Sequence, residues 1–254
     1  MQITRFERGL HGRVAIVTGA AIGNGRAFCE RLAEEGARLV IADLEEAVDT
    51  ERAVLESGGE VVSVRADMTN PADVERVIQT AVERFGRIDI LVHNVGHYSE
   101  EPFELLSFTE WKKTLEITLD SIFHTVRAVL PHMKRAGFGR IITFSSDTVW
   151  LGTPYLTHYV TAKMGVIGFT RSLAAEIGKF GITVNTITVG LTATQNAGTS
   201  SVMSPLLEHI IPAQAVHRAD EPEDIANVVA FLALPASGII TGQTINVDGG
   251  VARH

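Results

Sequence analysis

The segment Val14-Ala-Ile-Val17-Thr-Gly19-Ala-Ala-Ile-Gly23-Asn-Gly25 decides the fold of this chain. Its apolar start predicts a short buried strand, and its glycines come directly before a helical pattern. Gly19 permits a tight turn, Gly23 lets a pyrophosphate approach the backbone, and Gly25 lets the helix pack closely on the strand. A strand, a glycine-rich loop and a helix in this order predict a dinucleotide-binding unit.

Short apolar strands alternate with longer helical patterns along the rest of the chain. Near-continuous apolar strands are typical of a sheet covered on both faces, and the alternation implies parallel pairing. We therefore predict an α/β protein with a doubly wound Rossmann fold: a single domain over residues 1–254, with a seven-stranded parallel sheet flanked by helices. The predicted strands are 14–17, 39–42, 61–64, 88–92, 141–144, 182–187 and 244–247, and the predicted helices are 24–35, 45–57, 71–85, 107–136, 158–179 and 222–233.

Asp43 ends the second predicted strand, eighteen residues after Gly25. This spacing is typical of the acid that binds an adenosine ribose in dinucleotide-binding proteins. A carboxylate there accepts hydrogen bonds from the ribose hydroxyls and repels a 2′-phosphate. Since Ala21, Ile22 and Leu44 are all uncharged, no nearby Arg or Lys compensates, and we predict NAD rather than NADP.

The third and fourth predicted strands end at the same rim of the sheet. Asp67 and Met68 follow the third strand, and Asn94 and Gly96 follow the fourth. Ligands of doubly wound sheets bind at the carboxyl ends of the strands, so these residues suit contacts to adenine and the adjacent ribose. Asn94 also fits an ordinary turn-capping role.

Tyr159 and Lys163 form the most informative pair for chemistry, with Ser146 thirteen positions before the tyrosine. Residues four apart on a helix share a face, so the lysine ammonium is expected beside the phenol. Lowering a phenol pKa from ~10 by about three units requires roughly 4 kcal/mol. A cation about 4 Å away at an effective dielectric of about 20 supplies that order of energy. The pattern predicts a tyrosine acid–base catalyst, with Ser146 holding the substrate oxygen.

The bulk composition predicts a soluble cytoplasmic protein that acts on a small molecule. The 254 residues carry a net charge of −8, which argues against nucleic acid or an anionic membrane as partner. The single cysteine, Cys29, excludes an intrachain disulfide and favours the cytoplasm. No segment reaches the roughly 18 uncharged apolar residues of a membrane span. No metal-ligand spacing of Cys, His and carboxylates occurs, so no catalytic metal is predicted.

The chain resembles the classical short-chain dehydrogenase/reductase family over nearly its whole length. The matching segments, in family order, are Thr18-Gly-Ala-Ala-Ile-Gly-Asn-Gly25, Asp67, Asp89-Ile-Leu-Val-His-Asn-Val-Gly96, Ser146, Tyr159-x-x-x-Lys163 and Thr241-Gly-Gln-x-x-x-Val-Asp248-Gly-Gly250. Trp150-Leu151, Thr157-His158-Tyr159 and Val251-Ala-Arg-His254 further resemble bacterial aryl-alcohol members, such as 1-phenylethanol and pyridoxal dehydrogenases.

This resemblance implies an NAD-dependent oxidoreductase that interconverts a small hydrophobic or aromatic secondary alcohol and its ketone or aldehyde by hydride transfer. It implies that Tyr159 is the general acid/base, that Lys163 lowers its pKa and holds the nicotinamide ribose, and that Ser146 orients the substrate oxygen. It also implies a homotetramer built on the helices that carry Thr118 and Tyr159. Further cofactor contacts are expected from Asn24, Gly190, Thr192 and Thr194.

The chain departs from the family pattern at several positions. Thr118 stands where the family usually has a fourth catalytic residue, an asparagine thought to hold a water that links the lysine to solvent. Asn24 replaces an apolar residue usually found against the nicotinamide, His93 replaces the first asparagine of an Asn-Asn-Ala-Gly segment, and Thr188-Val189 stands where Ala-Pro is common. Because of Thr118, the proton relay of the family is in question for this chain. Because of Asn24, its affinity for the cofactor is in question.

The substrate pocket is expected from two segments. The stretch after Ser146 supplies Trp150 and Tyr155. The stretch 191–215 reads as a mobile lid that brings Met203 and Leu207 over the substrate. The apolar lid residues equally fit packing of a lid helix or a subunit contact. His97, Tyr98 and His158 are further candidates for substrate contact, although a lone histidine near a site is more often structural.

Two other functions remain open from the sequence. An epimerase or dehydratase with the same fold would retain and recycle its NAD. A non-catalytic NAD-binding sensor would fit the changes at Thr118 and Asn24, although a pure binder has no need of Ser146 with Tyr159.

Overall fold

Seven parallel strands form one sheet in the computed structural model, which describes residues 9–194 and 209–253. The spatial order is β3-β2-β1-β4-β5-β6-β7. The order reverses between β1 and β4, and a crevice at the carboxyl ends of these two strands is where doubly wound sheets bind ligands. The strands are β1 (Val14–Thr18), β2 (Arg38–Asp43), β3 (Glu60–Arg65), β4 (Ile90–His93), β5 (Gly139–Ser146), β6 (Ile182–Val189) and β7 (Thr244–Val247).

Helices connect the strands, and their ends follow local chemistry. The Asn70 side chain accepts a hydrogen bond from the Ala72 amide at the start of α3, and Gly86 ends that helix in the left-handed region. None of the helices in the described ranges has the length and hydrophobicity needed to cross a membrane. The helices are α1 (Gly23–Glu34), α2 (Val48–Glu56), α3 (Pro71–Phe85), α4 (Phe108–Leu115), α5 (Ser121–Ala136), α6 (Thr148–Leu151), α7 (Thr157–Ile177) and α8 (Pro222–Ala233).

Two hydrophobic layers cover the two faces of the sheet. Helices α1 and α8 pack on one face, where the rings of Phe28 and Phe144 stack with centroids 4.9 Å apart. Helices α3, α5 and α7 cover the other face, around Ile122, Met133 and Val166. Strand residues point alternately into the two layers, so the apolar runs of the central strands are buried on both sides. The predicted seven-stranded doubly wound fold is confirmed.

The structure differs from the prediction around residue 118. The single helix predicted over 107–136 contains a π-helical turn, Glu116–Asp120, between α4 and α5. The Ser121 hydroxyl donates to the Ile117 carbonyl at 2.6 Å, and such side-chain bonds compete with the regular helical ladder. The short helix α6 was not predicted either, because four residues are too few to show a helical period of hydrophobic residues.

Asp89 joins the start of β4 to β1 through a buried ion cluster. Its carboxylate is fully buried and accepts hydrogen bonds from the Val14 amide (2.9 Å), from Arg13 (3.1 Å) and twice from Arg87 (2.7 and 2.6 Å). Removing one partner of a buried ion pair leaves the others uncompensated, which typically costs about 3–5 kcal/mol. We therefore expect Asp89→Ala to lower the free energy of unfolding in urea by about 3 kcal/mol. Asp49→Ala, on the exposed start of α2, is the matched control and should change it little; equal effects of the two would contradict the assignment.

Candidate active site

The glycine loop between β1 and α1 is shaped by close backbone contacts. Gly19 and Gly23 have φ of +63° and +58°, in the left-handed region that favours glycine. A Cβ on Gly25 would lie 2.0 Å from the Gly19 carbonyl oxygen, so no other residue fits there. The loop therefore brings backbone amides at the start of α1 to the rim of the sheet, where a helix N-terminus favours an anionic group.

A first cavity, of about 510 Å³, opens beside this loop. Asp43 lines it and is partly buried; its carboxylate accepts hydrogen bonds from the Ala21 amide (2.8 Å) and the Glu45 amide (3.1 Å). A carboxylate has about four acceptor sites, so it retains capacity for two ribose hydroxyls. The other residues predicted for this end line the same cavity: Gly19, Asp67, Met68, Asn94 and Gly96.

Asn94 joins the loop to β4 while lining the cavities. Its side-chain amide donates to the Gly19 carbonyl at 2.8 Å, and its backbone amide donates to the Thr18 hydroxyl at 3.2 Å. The turn-capping role left open from the sequence is therefore real. Because Asn94 also lines both cavities, the two roles coexist at this residue.

A second cavity, of about 540 Å³, brings together Ser146, Tyr159 and Lys163. Ser146 ends β5, and the other two lie one turn apart on α7, with the lysine ammonium 5.6 Å from the centre of the tyrosine ring. The Ser146 hydroxyl donates to the Asp147 carboxylate at 3.3 Å and accepts from the Thr148 hydroxyl at 2.9 Å. The predicted catalytic residues therefore share one site.

The pKa of Tyr159 differs from the lowered value that its helical spacing to Lys163 predicts. Burial raises the pKa of Tyr159 to about 12, although the Ser146 hydroxyl opposes this increase. Burial likewise lowers the pKa of Lys163 to about 8. The lysine ammonium donates to the Phe144 carbonyl at 3.0 Å. Desolvation of both side chains therefore outweighs their mutual effect, which helical spacing alone does not reveal.

Asp147 is a residue of the site that the sequence analysis missed. It is buried and lines the second cavity, and burial, together with the charge of Asp248, raises its pKa to about 6. Its charge raises the pKa of Tyr159. Asp220 is also buried, and its pKa is raised to about 6 by burial and by Asp248. The adjacency of an acid to the catalytic serine was the only signal in the sequence.

Thr118 lies in the π-helical turn and is buried. Its hydroxyl accepts a hydrogen bond from the His97 amide at 3.1 Å, which holds the segment after β4. The His97 ring bonds Glu110 at 2.7 Å. π-Helical turns are frequent at functional sites, but Thr118 is absent from the described lining of both cavities. Its described contact with the site is the hydrogen bond to the His97 amide, and its place in a proton relay stays a prediction.

Known proteins with similar sequences establish the family. A family model described as "Enoyl-(Acyl carrier protein) reductase" matches residues 19–252. The short-chain reductase protein NovJ of Streptomyces niveus is 40% identical over 248 residues, covering 93% of each chain. This chain is a short-chain dehydrogenase/reductase. It is accordingly an oxidoreductase of a family that binds a nicotinamide cofactor.

Further members of the short-chain dehydrogenase/reductase family match over similar lengths. A 3-oxoacyl-[acyl-carrier-protein] reductase of Synechocystis is 35% identical, covering 95% of this chain and 98% of its own. The crystal structure of levodione reductase superimposes with a TM-score of 0.88 at 33% identity, covering 96% of this chain and 98% of its own. These names span several substrates, so the resemblance to aryl-alcohol members stays a prediction.

The residues of this family member fit a nicotinamide cofactor. The second cavity adjoins the first through Asn94, Gly96 and His97, which line both. The side-chain oxygen of Asn24 is buried and has no hydrogen-bond partner among the described residues. It lines the second cavity, where a polar group of a ligand would satisfy it. Gly190, Thr192 and Thr194, predicted to contact the cofactor, line this cavity too.

Two of the predicted substrate residues lie elsewhere. The Trp150 indole donates to Asn246 at 3.2 Å, and Tyr155 is 58% exposed in a left-handed conformation with φ of +66°. Neither is among the described residues of the cavity wall, so their contact with a substrate stays a prediction. His97 does line the cavity. Met203 and Leu207, and the predicted lid from 195 to 208, lie outside the described residues.

The cavity wall includes Tyr98, a candidate for substrate contact from the sequence, and further residues that sequence patterns did not assign to it. The ring of Tyr98 packs edge-on against Tyr159, with centroids 5.2 Å apart at 78°. Glu100, Thr153 and Leu156 also line the wall. They come from the loop after β4 and the turn before α7, and such segments have no periodicity from which their direction can be read.

Proposed function

We propose that this protein is an NAD-dependent dehydrogenase that interconverts a small hydrophobic or aromatic secondary alcohol and its ketone or aldehyde. The main support for this proposal is that Ser146, Tyr159 and Lys163 line one cavity. That cavity lies directly beside the one lined by Asp43 and the glycine loop. A pure binding protein has no need of a buried serine beside a half-buried tyrosine. The apolar walls, including Leu151 and Leu156, support a hydrophobic substrate.

Tyr159 is the group that moves the proton. During oxidation its phenolate oxygen accepts the proton of the substrate hydroxyl, and during reduction its hydroxyl donates a proton to the nascent alkoxide. Ser146 hydrogen-bonds the same substrate oxygen, where charge develops. Bound nicotinamide would supply the hydride acceptor or donor and, when oxidised, a positive charge that favours the phenolate. Since the phenol starts from a pKa of about 12, oxidation is expected to accelerate as the pH rises.

Asp147 tunes this proton transfer, and its removal is expected to shift the pH profile. A unit charge several ångströms away at an effective dielectric of about 20 is worth about 2 kcal/mol. Asp147→Asn removes a charge that raises the pKa of Tyr159, so we expect the acid limb of kcat/KM for oxidation to move about one unit lower. Below about pH 6 the wild-type Asp147 is itself protonated, so the two profiles should converge there.

The pH shift is measured from initial rates of NADH formation between pH 5.5 and 10.5. Asp120→Asn is the matched control, because Asp120 is exposed at the end of the π-helical turn. Its profile should follow that of the wild type. A shift of the Asp147→Asn profile toward higher pH would contradict the assigned electrostatic role.

The use of NAD in preference to NADP rests on Asp43. Its partly buried carboxylate is held by two backbone amides at the rim of the first cavity. A 2′-phosphate at this position would meet that negative charge at short range, whereas ribose hydroxyls donate to it. No lysine or arginine is among the described residues that line this cavity, which supports the same preference.

The direct test is NADH absorbance at pH 9 with benzylic, cyclic and aliphatic secondary alcohols, with NADP⁺ in parallel. Stoichiometric NADH with at least one alcohol is the expected result. A substrate that is converted while no NADH is released would favour an epimerase or dehydratase, which recycles its NAD. NADH binding by fluorescence without turnover of any alcohol would favour a sensor.

We also propose a homotetramer in the cytoplasm, with a small molecule rather than nucleic acid or a membrane as partner. Phe123 on α5 is 49% exposed and Met164 on α7 is 41% exposed, and such apolar residues on neighbouring helices support a subunit contact. The buried free thiol of Cys29 and the net charge of −8 support the location and the partner class. Light scattering at a mass near four times 27.4 kDa is the expected result.

A further inference from the structure

The charges around the second cavity are unbalanced. Among its described lining residues the carboxylates belong to Glu100 and Asp147, and the only lysine or arginine is Lys163. Lys163 is buried and donates to the Phe144 carbonyl, so it sits at the base of the site. His97 also lines the cavity, but its ring bonds the Glu110 carboxylate at 2.7 Å.

A further acid faces the cavity from behind Gly190. A Cβ on this glycine would lie 2.5 Å from Oδ2 of Asp220, so the carboxylate abuts the backbone that lines the wall. Asp220 is only 5% exposed. Its Oδ2 atom has no hydrogen-bond partner in the described part of the chain. Its other oxygen accepts from Gln214 at 3.1 Å. An unpaired buried carboxylate oxygen here adds to the negative potential of the cavity.

The mouth of the cavity pairs an aromatic ring with a carboxylate. Tyr98 is half exposed, lies edge-on to Tyr159, and donates its hydroxyl to Glu100. Aromatic faces and carboxylates are the two groups that bind organic cations in proteins.

We propose that this site selects alcohols and ketones that carry a basic nitrogen away from the reacting carbon, and discriminates against those that carry a carboxylate there. The proposal rests on the proposed dehydrogenase function and defines its substrate class. The reacting oxygen meets Ser146 and Tyr159, and the ammonium lies toward Tyr98 and Glu100. A substrate carboxylate at the same position is repelled by Glu100 and Asp147, and the described residues of the wall offer no free cation to pair with it.

The test uses three 1-phenylethanols that differ only in the para substituent: aminomethyl, methyl and carboxylate. Alkyl ammonium and carboxylate groups are both charged at about pH 8. We expect kcat/KM to fall in the order aminomethyl, methyl, carboxylate, with a ratio of about 100 between the first and the last. Added salt should reduce the ratio, because the mouth of the cavity is open to screening.

Two variants locate the source of the selectivity. Glu100→Gln should reduce the ratio of kcat/KM for the aminomethyl compound to that for the carboxylate compound about tenfold. Glu104→Gln is the matched control, since Glu104 is exposed and absent from the described lining of the cavity, and its ratio should stay at the wild-type value. A carboxylate substrate used as well as the aminomethyl one, or a ratio unchanged by Glu100→Gln, would overturn the proposal.

A binding measurement separates this proposal from the dehydrogenase function itself. Benzylamine and benzoate are titrated calorimetrically into the protein saturated with NADH. We expect benzylamine to bind at least tenfold more tightly, whether or not any alcohol is oxidised. Tighter binding of benzylamine without turnover of any alcohol would reject the dehydrogenase function and retain the charge selectivity. Turnover of an alcohol with equal binding of the two compounds would retain the dehydrogenase function and reject the charge selectivity.

Discussion

Replacing Tyr159 by phenylalanine should lower kcat for alcohol oxidation by about 10³-fold. The substitution removes only the hydroxyl oxygen that accepts and donates the proton, and general acid–base catalysis contributes about 10²–10⁴-fold. The ring is retained, so its edge-on contact with Tyr98 and the packing of α7 should persist. Rates are measured as NADH absorbance at pH 9 with the best alcohol of the panel.

Tyr155→Phe is the matched control for this loss. Tyr155 is 58% exposed and is absent from the described lining of the cavity, so the same chemical change should leave kcat within about twofold. Affinity for NADH, followed by fluorescence, should stay within about threefold in both variants. A Tyr159→Phe enzyme that keeps more than a tenth of the wild-type rate would show that another group transfers the proton.

Replacing Asp43 by serine should change the preference between NAD and NADP by about 100-fold or more. Serine removes the charge that repels a 2′-phosphate and weakens the contact with the ribose hydroxyls. The guanidinium of Arg65 donates to the Leu44 carbonyl at 2.8 Å, and Arg65 pairs with Asp43 across β2 and β3, so we expect it to compensate the charge of a phosphate. Each tenfold change corresponds to about 1.4 kcal/mol, so this shift is about 2.7 kcal/mol.

The preference is measured as the ratio of kcat/KM for NAD⁺ and NADP⁺ at saturating alcohol. Asp49→Ser, on the neighbouring exposed turn of α2, should retain the wild-type ratio. The double variant Asp43→Ser with Arg65→Ala should lose the gain in NADP⁺ use and keep the loss in NAD⁺ use. An unchanged ratio in Asp43→Ser would mean that the adenosine ribose binds elsewhere on the rim.

Much of the fold and the chemistry was predictable because it depends on residues close together in the sequence. The strands from Val14–Thr18 to Thr244–Val247 follow from short, near-continuous apolar runs, which are typical of a parallel sheet covered on both faces. The glycine loop follows from the backbone freedom that the turn demands, and its Gly25 admits no side chain. Tyr159 and Lys163 share a face of α7 because a helix repeats about every 3.6 residues.

Other features arise only when distant segments meet. The π-helical turn at Thr118, the turning of Trp150 toward Asn246 and the outward position of Tyr155 depend on packing and loop conformation, which have no local period. The spacing of Tyr159 and Lys163 predicted a cation near the phenol. It did not predict the desolvation that raises the pKa of Tyr159 to about 12.

The clearest case is the acidic side of the site. Asp147, Asp220 and Asp248 are far apart in the sequence, yet burial brings their charges close enough to raise the pKa values of Asp147 and Asp220. The sequence alone determined the sheet, the glycine loop and the predicted catalytic residues, since these depend on periodicity and spacing. The tertiary structure alone decided the electrostatic environment of those residues, because desolvation and charge interactions are set by every neighbour in space.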